Sequence, residues 1–138
     1  MKVVVYSIKP TEKEFLAKAN QKKHDITLIS NPLCMETAVY AEGKDAVVVL
    51  PADDISADVI YKLADMGVRF ITSHAATTDH IDKQAVSERG IKLAYVTNNA
   101  PKTIAEQIIR NLDLWQQDNA LVMPAPLQKN EELYKLQQ

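Results

Sequence analysis

The sequence predicts an α/β domain built on a five-stranded parallel sheet with helices on both faces. Three observations carry this. Short β-branched runs recur along the chain, such as Val3-Val4-Val5-Tyr6 and Ala46-Val47-Val48-Val49-Leu50. They are apolar throughout instead of alternating, as strands buried on both faces are. Amphipathic segments with helix start and stop signals lie between them. A length of 138 residues gives room for one core of ordinary size.

The elements follow in order. Val3 to Tyr6 form the first strand. Pro10 and Thr11 open a helix, with Thr11 as N-cap, Glu14 as its capping-box partner and Phe15, Leu16 and Ala19 as the apolar stripe. Ile26 to Ile29 make a second strand, ended by Asn31-Pro32, and Met35 to Ala41 read as a short helix closed by Gly43. Ala46 to Leu50 are the clearest buried strand. Ser56 caps a helix carrying Val59, Ile60, Leu63 and Ala64, and Gly67 falls where a helix C-cap belongs. Val68 to Thr72 form the fourth strand. Asp79 is the expected N-cap of a helix over Ile81 to Arg89, stopped by Gly90, and Ile91 to Val96 complete the strands. Pro101, a residue favoured in the first turn, starts a longer helix through Gln117. Strands and helices in strict alternation fit a flavodoxin-like doubly wound sheet of order 2-1-3-4-5. Residues 1–118 are assigned to this domain and 119–138 to a C-terminal linker and tail helix. Met123-Pro124-Ala125-Pro126 form the linker, and Gln128 to Leu136 a weak polar helix.

Composition excludes several function classes. The 16 basic and 18 acidic residues are well mixed and sum to −2, which leaves no footprint for nucleic acid or an anionic membrane. The cluster Lys18, Lys22, Lys23 has Glu12 and Glu14 beside it and reads as a solvated helix face. Cys34 is the single cysteine, so neither an internal disulfide nor a thiolate metal site is expected, and a reducing, cytoplasmic location follows. The opening MKVVVYSIK is too short in apolar residues for a signal peptide, and no run is long enough to span a bilayer.

A doubly wound sheet places its ligand crevice at the carboxyl ends of its strands. Four loops meet there: Ser7 to Pro10, Pro51 to Asp54, His74 to His80 and Thr97 to Ala100. The candidate binding residues are Ala52, Asp53, His74, Thr77, Thr78, His80 and Asn99. The amides of Ala52 and Asp53, with the side chains of Thr77 or Asn99, suit a small carboxylate; the alternative is an empty crevice whose polar groups face water. His74, His80, Asp53 and Asp79 have metal-ligand chemistry, but an H-x5-H spacing in a loop fixes no geometry, and no metal is assigned. Cys34 lies where a helix N-terminus could favour its thiolate, yet a half-buried structural cysteine is the simpler reading. Ser73 beside His74 is not a dyad by adjacency, no G-x-S-x-G elbow exists, and His24 reads as a surface loop residue. No catalytic residue is assigned.

Five segments resemble a known family. Tyr6-Ser7-Ile8-Lys9-Pro10-Thr11-Glu12 is similar to the start of D-lactate dehydrogenases, and Ala41-Glu42-Gly43-Lys44-Asp45-Ala46-Val47-Val48-Val49 to their third strand and its lead-in. Asp53-Asp54-Ile55-Ser56-Ala57-Asp58-Val59-Ile60 looks like the loop and helix that follow. His74 to Asp82 occupy the place of the R-x-x-G-x-x-N-I-D stretch, and Asn99 to Gln107 that of Y-S-P-x-x-[IV]-A-E-H. The chain therefore resembles the substrate domain of the NAD-dependent D-isomer-specific 2-hydroxyacid dehydrogenases, over about residues 1 to 110.

In full-length members this domain is interrupted by a Rossmann domain that binds NAD and supplies the catalytic Arg, Glu and His. Here there is no G-x-G, and the three glycines, Gly43, Gly67 and Gly90, are isolated. The resemblance thus implies a substrate domain that binds no cofactor and transfers no hydride unaided. His74 stands at the family's Arg, Thr77 at its Gly, His80 at its Asn, Asn99 at its Tyr and Gln107 at its His, while Glu106 keeps its place. Pro51, near the amides that hold the family's substrate carboxylate, has no N–H to offer. The alternative is the substrate subunit of a split dehydrogenase completed by a separate NAD-binding chain. In full enzymes the helix after Pro101 passes between the domains. Part of its apolar face of Ile104, Ile108, Leu112 and Trp115 would then meet water unless the tail from Leu121 to Leu136 folds back over it or a second copy covers it. A homodimer through that face and the C-terminal tail is expected.

Overall fold

In the computed structural model the apolar runs pair into a single parallel sheet of order β2-β1-β3-β4-β5, as predicted. The structure describes residues 1–50, 53, 55–74, 81–96 and 100–121, with side chains through 117. Along the chain come β1 (Lys2–Val5), α1 (Pro10–Asn20), β2 (Asp25–Leu28), a 3₁₀ turn (Thr37–Ala41), β3 (Ala46–Val49), α2 (Ala57–Asp65), β4 (Phe70–His74), α3 (Lys83–Glu88), β5 (Lys92–Val96) and α4 (Pro101–Leu121). Val4 pairs with Thr27 on one side and Val47 on the other, Val47 with Ile71, and Ile71 with Leu93.

Strand side chains alternate between faces, and both faces are covered. Val4, Tyr6, Val47, Val49 and Ile71 pack with the 3₁₀ turn, α2 and α3. Val3, Val5, Ala46, Val48 and Phe70 pack with Leu16 of α1 and the apolar side of α4. The all-apolar strands of the sequence are thus explained residue by residue, since either parity meets a helix.

Several local expectations are corrected. α1 begins at Pro10 with Lys9 as N-cap, not Thr11, because the fixed φ of proline suits the first helical position. Glu12, not Glu14, then sits three residues on and accepts from the Lys9 N–H at 2.9 Å. Met35 to Ala41 yield only the 3₁₀ turn Thr37–Ala41. α3 is capped by Asp82, whose Oδ1 accepts from the Ala85 N–H at 3.0 Å; Asp79, the expected cap, lies outside the described residues. α4 runs on to Leu121, past the helix end expected at about Gln117. The linker and tail beyond it lie outside the described residues.

The largest corrections concern α4 and His24. Ile104, Ile108, Leu112 and Trp115 do not face water: they are buried on the sheet of their own chain, Trp115 with 1% exposure and its ring stacked on Phe70 at 4.9 Å. α4 covers this face of the sheet against β4 and β5 and packs beside α1, so these four side chains belong to the core of their own chain. His24, expected at the surface, has a side chain with 0% exposure. Its Nε2 lies 2.7 Å from Asp113 Oδ1 of α4, and Asn20 brackets its backbone with two hydrogen bonds. Asp113 also meets Lys23 Nζ at 2.8 Å, so the turn after α1 is clasped to α4.

Candidate functional site

Parallel strands point their carboxyl ends to one edge of the sheet, and there Asp53 joins the segments that follow β1, β2 and β3. This side chain, 4% exposed, accepts three hydrogen bonds from three separate segments. The Ser7 hydroxyl donates to Oδ1 at 2.6 Å, the Leu33 N–H to Oδ1 at 2.8 Å and the Leu50 N–H to Oδ2 at 2.6 Å. Its own N–H donates to the Leu50 carbonyl at 3.0 Å. The Asp53 amide, expected to face a ligand carboxylate, is thus engaged with the carbonyl of Leu50 at the end of β3.

The neighbouring groups extend this node. Ser7 takes the left-handed conformation (φ 59°), uncommon for a residue with a side chain, and its N–H donates to the Asn31 carbonyl at 3.0 Å. The buried Tyr6 hydroxyl donates to the Thr37 carbonyl at 2.8 Å. Burial, and then the nearby Asp53 carboxylate, push the Tyr6 phenol well above its ordinary value, so it remains a neutral donor. Thr37 Oγ1 accepts from the Cys34 N–H at 2.9 Å and lies 3.5 Å from its sulfur. Hydrogen bonding to Thr37 holds the Cys34 thiol below its usual range, against a smaller opposing effect of desolvation.

Of the other candidates, His74 closes β4 and pairs in register with Val96, half-buried at the carboxyl end of the strand. Its neighbour Ser73 is fully buried and points to the other face, so the two form no dyad. Ala52, Thr77, Thr78, His80 and Asn99 lie outside the described residues, as do Asp54, Asp79 and Asn98. Among the described residues no three His, Cys, Asp or Glu side chains gather to hold a metal ion. No helix among them is long and apolar enough to cross a membrane. The contributions of Leu33 and Leu50 carry no sequence signal, because a backbone donor is the same in every residue type.

The model of the catalytic domain of D-isomer specific 2-hydroxyacid dehydrogenases matches residues 3–116. The chain belongs to that family. A 2-hydroxyacid dehydrogenase homolog of Schizosaccharomyces pombe is 33% identical over 110 residues, covering 79% of this chain and 33% of the relative. The D-lactate dehydrogenase of Escherichia coli is 32% identical over the same two shares. Its apo structure superposes with a TM-score of 0.68 at 28% identity, over 88% of this chain and 41% of that one. A D-2-hydroxyisocaproate dehydrogenase structure gives 0.66 at 28% identity, over 83% and 35%. The chain spans about a third of the length of the curated relatives it matches. What it shares with this dehydrogenase family is the catalytic domain with its five-stranded sheet.

Proposed function

We propose that these residues serve as the substrate side of a 2-hydroxyacid dehydrogenase: they offer a crevice to a small 2-oxo or 2-hydroxy carboxylate and transfer no hydride by themselves. The observation that carries this is where the glycines stand. A dinucleotide turn needs glycines where the backbone closes on the pyrophosphate. Gly43, Gly67 and Gly90 are the only three in the chain. Each has positive φ (77°, 101° and 69°) and each follows a helical segment as its stop. None is left for a nucleotide loop, so the residues present do not fit NAD.

The names of the relatives, D-lactate dehydrogenase and aromatic 2-oxoacid reductase among them, suggest pyruvate and arylpyruvates as first ligands. Thermal unfolding with pyruvate, D-lactate, phenylpyruvate and NADH tests the proposal. A ligand at about a hundred times its Kd adds roughly 2.7 kcal/mol, which moves the midpoint of a domain this size by roughly 8–16 °C. The expected result is a shift with an oxo acid and none with NADH. A shift with NADH would overturn the proposal. A second reading, a substrate subunit completed by a separate NAD-binding chain, is favoured by the intact sheet and crevice node. It predicts reduction of the oxo acid only when such a chain is added.

A further inference from the structure

Three chain segments leave the carboxyl edge of the sheet after β1, β2 and β3, and each sends one donor to Asp53: Ser7 Oγ, the Leu33 N–H and the Leu50 N–H. We propose that Asp53 is the positioning residue of the crevice, tying these segments into one unit and so setting the affinity for a carboxylate ligand that it does not itself contact. This rests on the reading of the crevice as a carboxylate site.

Several features argue for it. The Asp53 side chain is nearly inaccessible, so it does not serve as a surface acceptor for solvent. Its partners lie 46, 20 and 3 residues away, so the node closes loops across the fold and not merely within one turn. Leu50 and Asp53 are joined twice, by Leu50 N–H to Oδ2 and by Asp53 N–H to the Leu50 carbonyl. The segment after β2 is held twice more on its path, by Asn31 to the Ser7 N–H and by Thr37 to the Tyr6 hydroxyl. Ser7 keeps its left-handed backbone between two of these ties, its amide on Asn31 and its hydroxyl on Asp53. Strain of this kind persists where surrounding structure over-determines it.

The chemistry explains why the residue is an aspartate. Oδ1 takes two donors and Oδ2 a third, so both oxygens must accept. Asparagine offers one accepting oxygen. Whichever way its amide turns, an NH₂ group meets a donor that the carboxylate had satisfied.

The test uses the full chain, with Asp53→Asn, the milder Ser7→Ala, and Ile108→Val as a core control in α4 that makes no bond to Asp53. Amide exchange at Leu33 and Leu50 reports the node without ligand, and titration with pyruvate and phenylpyruvate reports affinity. Asp53→Asn is expected to speed exchange at both amides and to weaken oxo-acid binding by roughly ten- to a hundredfold, the scale of a small misplacement of binding groups. Ser7→Ala, which leaves two backbone ties, weakens it less, and Ile108→Val leaves it unchanged. Undiminished affinity in Asp53→Asn, or an equal loss in Ile108→Val, overturns the positioning role alone. If Asp53→Asn does not fold, Ser7→Ala decides: affinity and Leu33 exchange equal to wild type overturn the role. Wild-type protein that binds neither probe overturns the carboxylate reading, and the positioning role with it.

Discussion

Replacing Asp113 by alanine removes the acceptor that faces a buried imidazole. His24 Nε2 loses its 2.7 Å partner in a site with no side-chain exposure. A buried donor left unpaired costs about 1–3 kcal/mol. The Lys23 pair, with side chains 46% and 40% exposed, adds at most about 1 kcal/mol, since water and salt screen it. A destabilisation of about 2 kcal/mol corresponds to roughly 8 °C in Tm for a chain of this length. The clasp also titrates. Partial desolvation raises the Asp113 pKa, but the opposing pull of Lys23 and His24 is larger and holds it below its ordinary value. A depressed carboxylate contributes stability that is fully present above the unfolded pKa, about 3.9, and is lost as pH falls through the folded pKa. The gap between wild type and Asp113→Ala should therefore be widest near neutrality and narrow below about pH 4. Urea denaturation followed by the fluorescence of Trp115, the single tryptophan, measures it. An Asp113→Ala variant as stable as wild type near neutrality, or a gap that widens in acid, would refute the clasp.

Two further outcomes follow from burial and hydrogen bonding. Trp115→Ala should cost about 3–5 kcal/mol in urea denaturation, because the ring is buried against Phe70; an unchanged midpoint would return this face to the surface. Thr37→Ala should raise the pH at which Cys34 reacts with iodoacetamide, since the hydrogen bond to Thr37 is the main influence lowering that thiol. A pH–rate profile identical to wild type would show that Thr37 does not tune it.

Much of the fold is legible in the sequence because its signals are local. Residues such as Val3 to Val5 and Ala46 to Val49 are apolar at every position, which is enough to demand helices on both sides of the sheet. Gly67 and Gly90 mark helix ends by a backbone geometry that other residues resist. Caps are read less well. Thr11, Glu14 and Asp79 carry the right chemistry, but Pro10 and Asp82 decide where the helices start.

The sequence by itself determined the alternation of strands and helices, the strand order and the kinship with 2-hydroxyacid dehydrogenases, all of which rest on periodicity and on motifs read in chain order. Only the tertiary structure decided what Asp53, His24 and the α4 face do. An aspartate in a loop looks the same whether it faces a ligand or three internal donors, and Ser7 lies 46 residues away from Asp53. A histidine after a helix looks exposed until an aspartate 89 residues on closes over it. The stripe from Ile104 to Trp115 is apolar whether it meets a second copy or its own sheet, and the sheet is where the structure buries it. In each case the residue type fixes what a group can bond or bury against, and the packing of distant segments fixes which partner it meets.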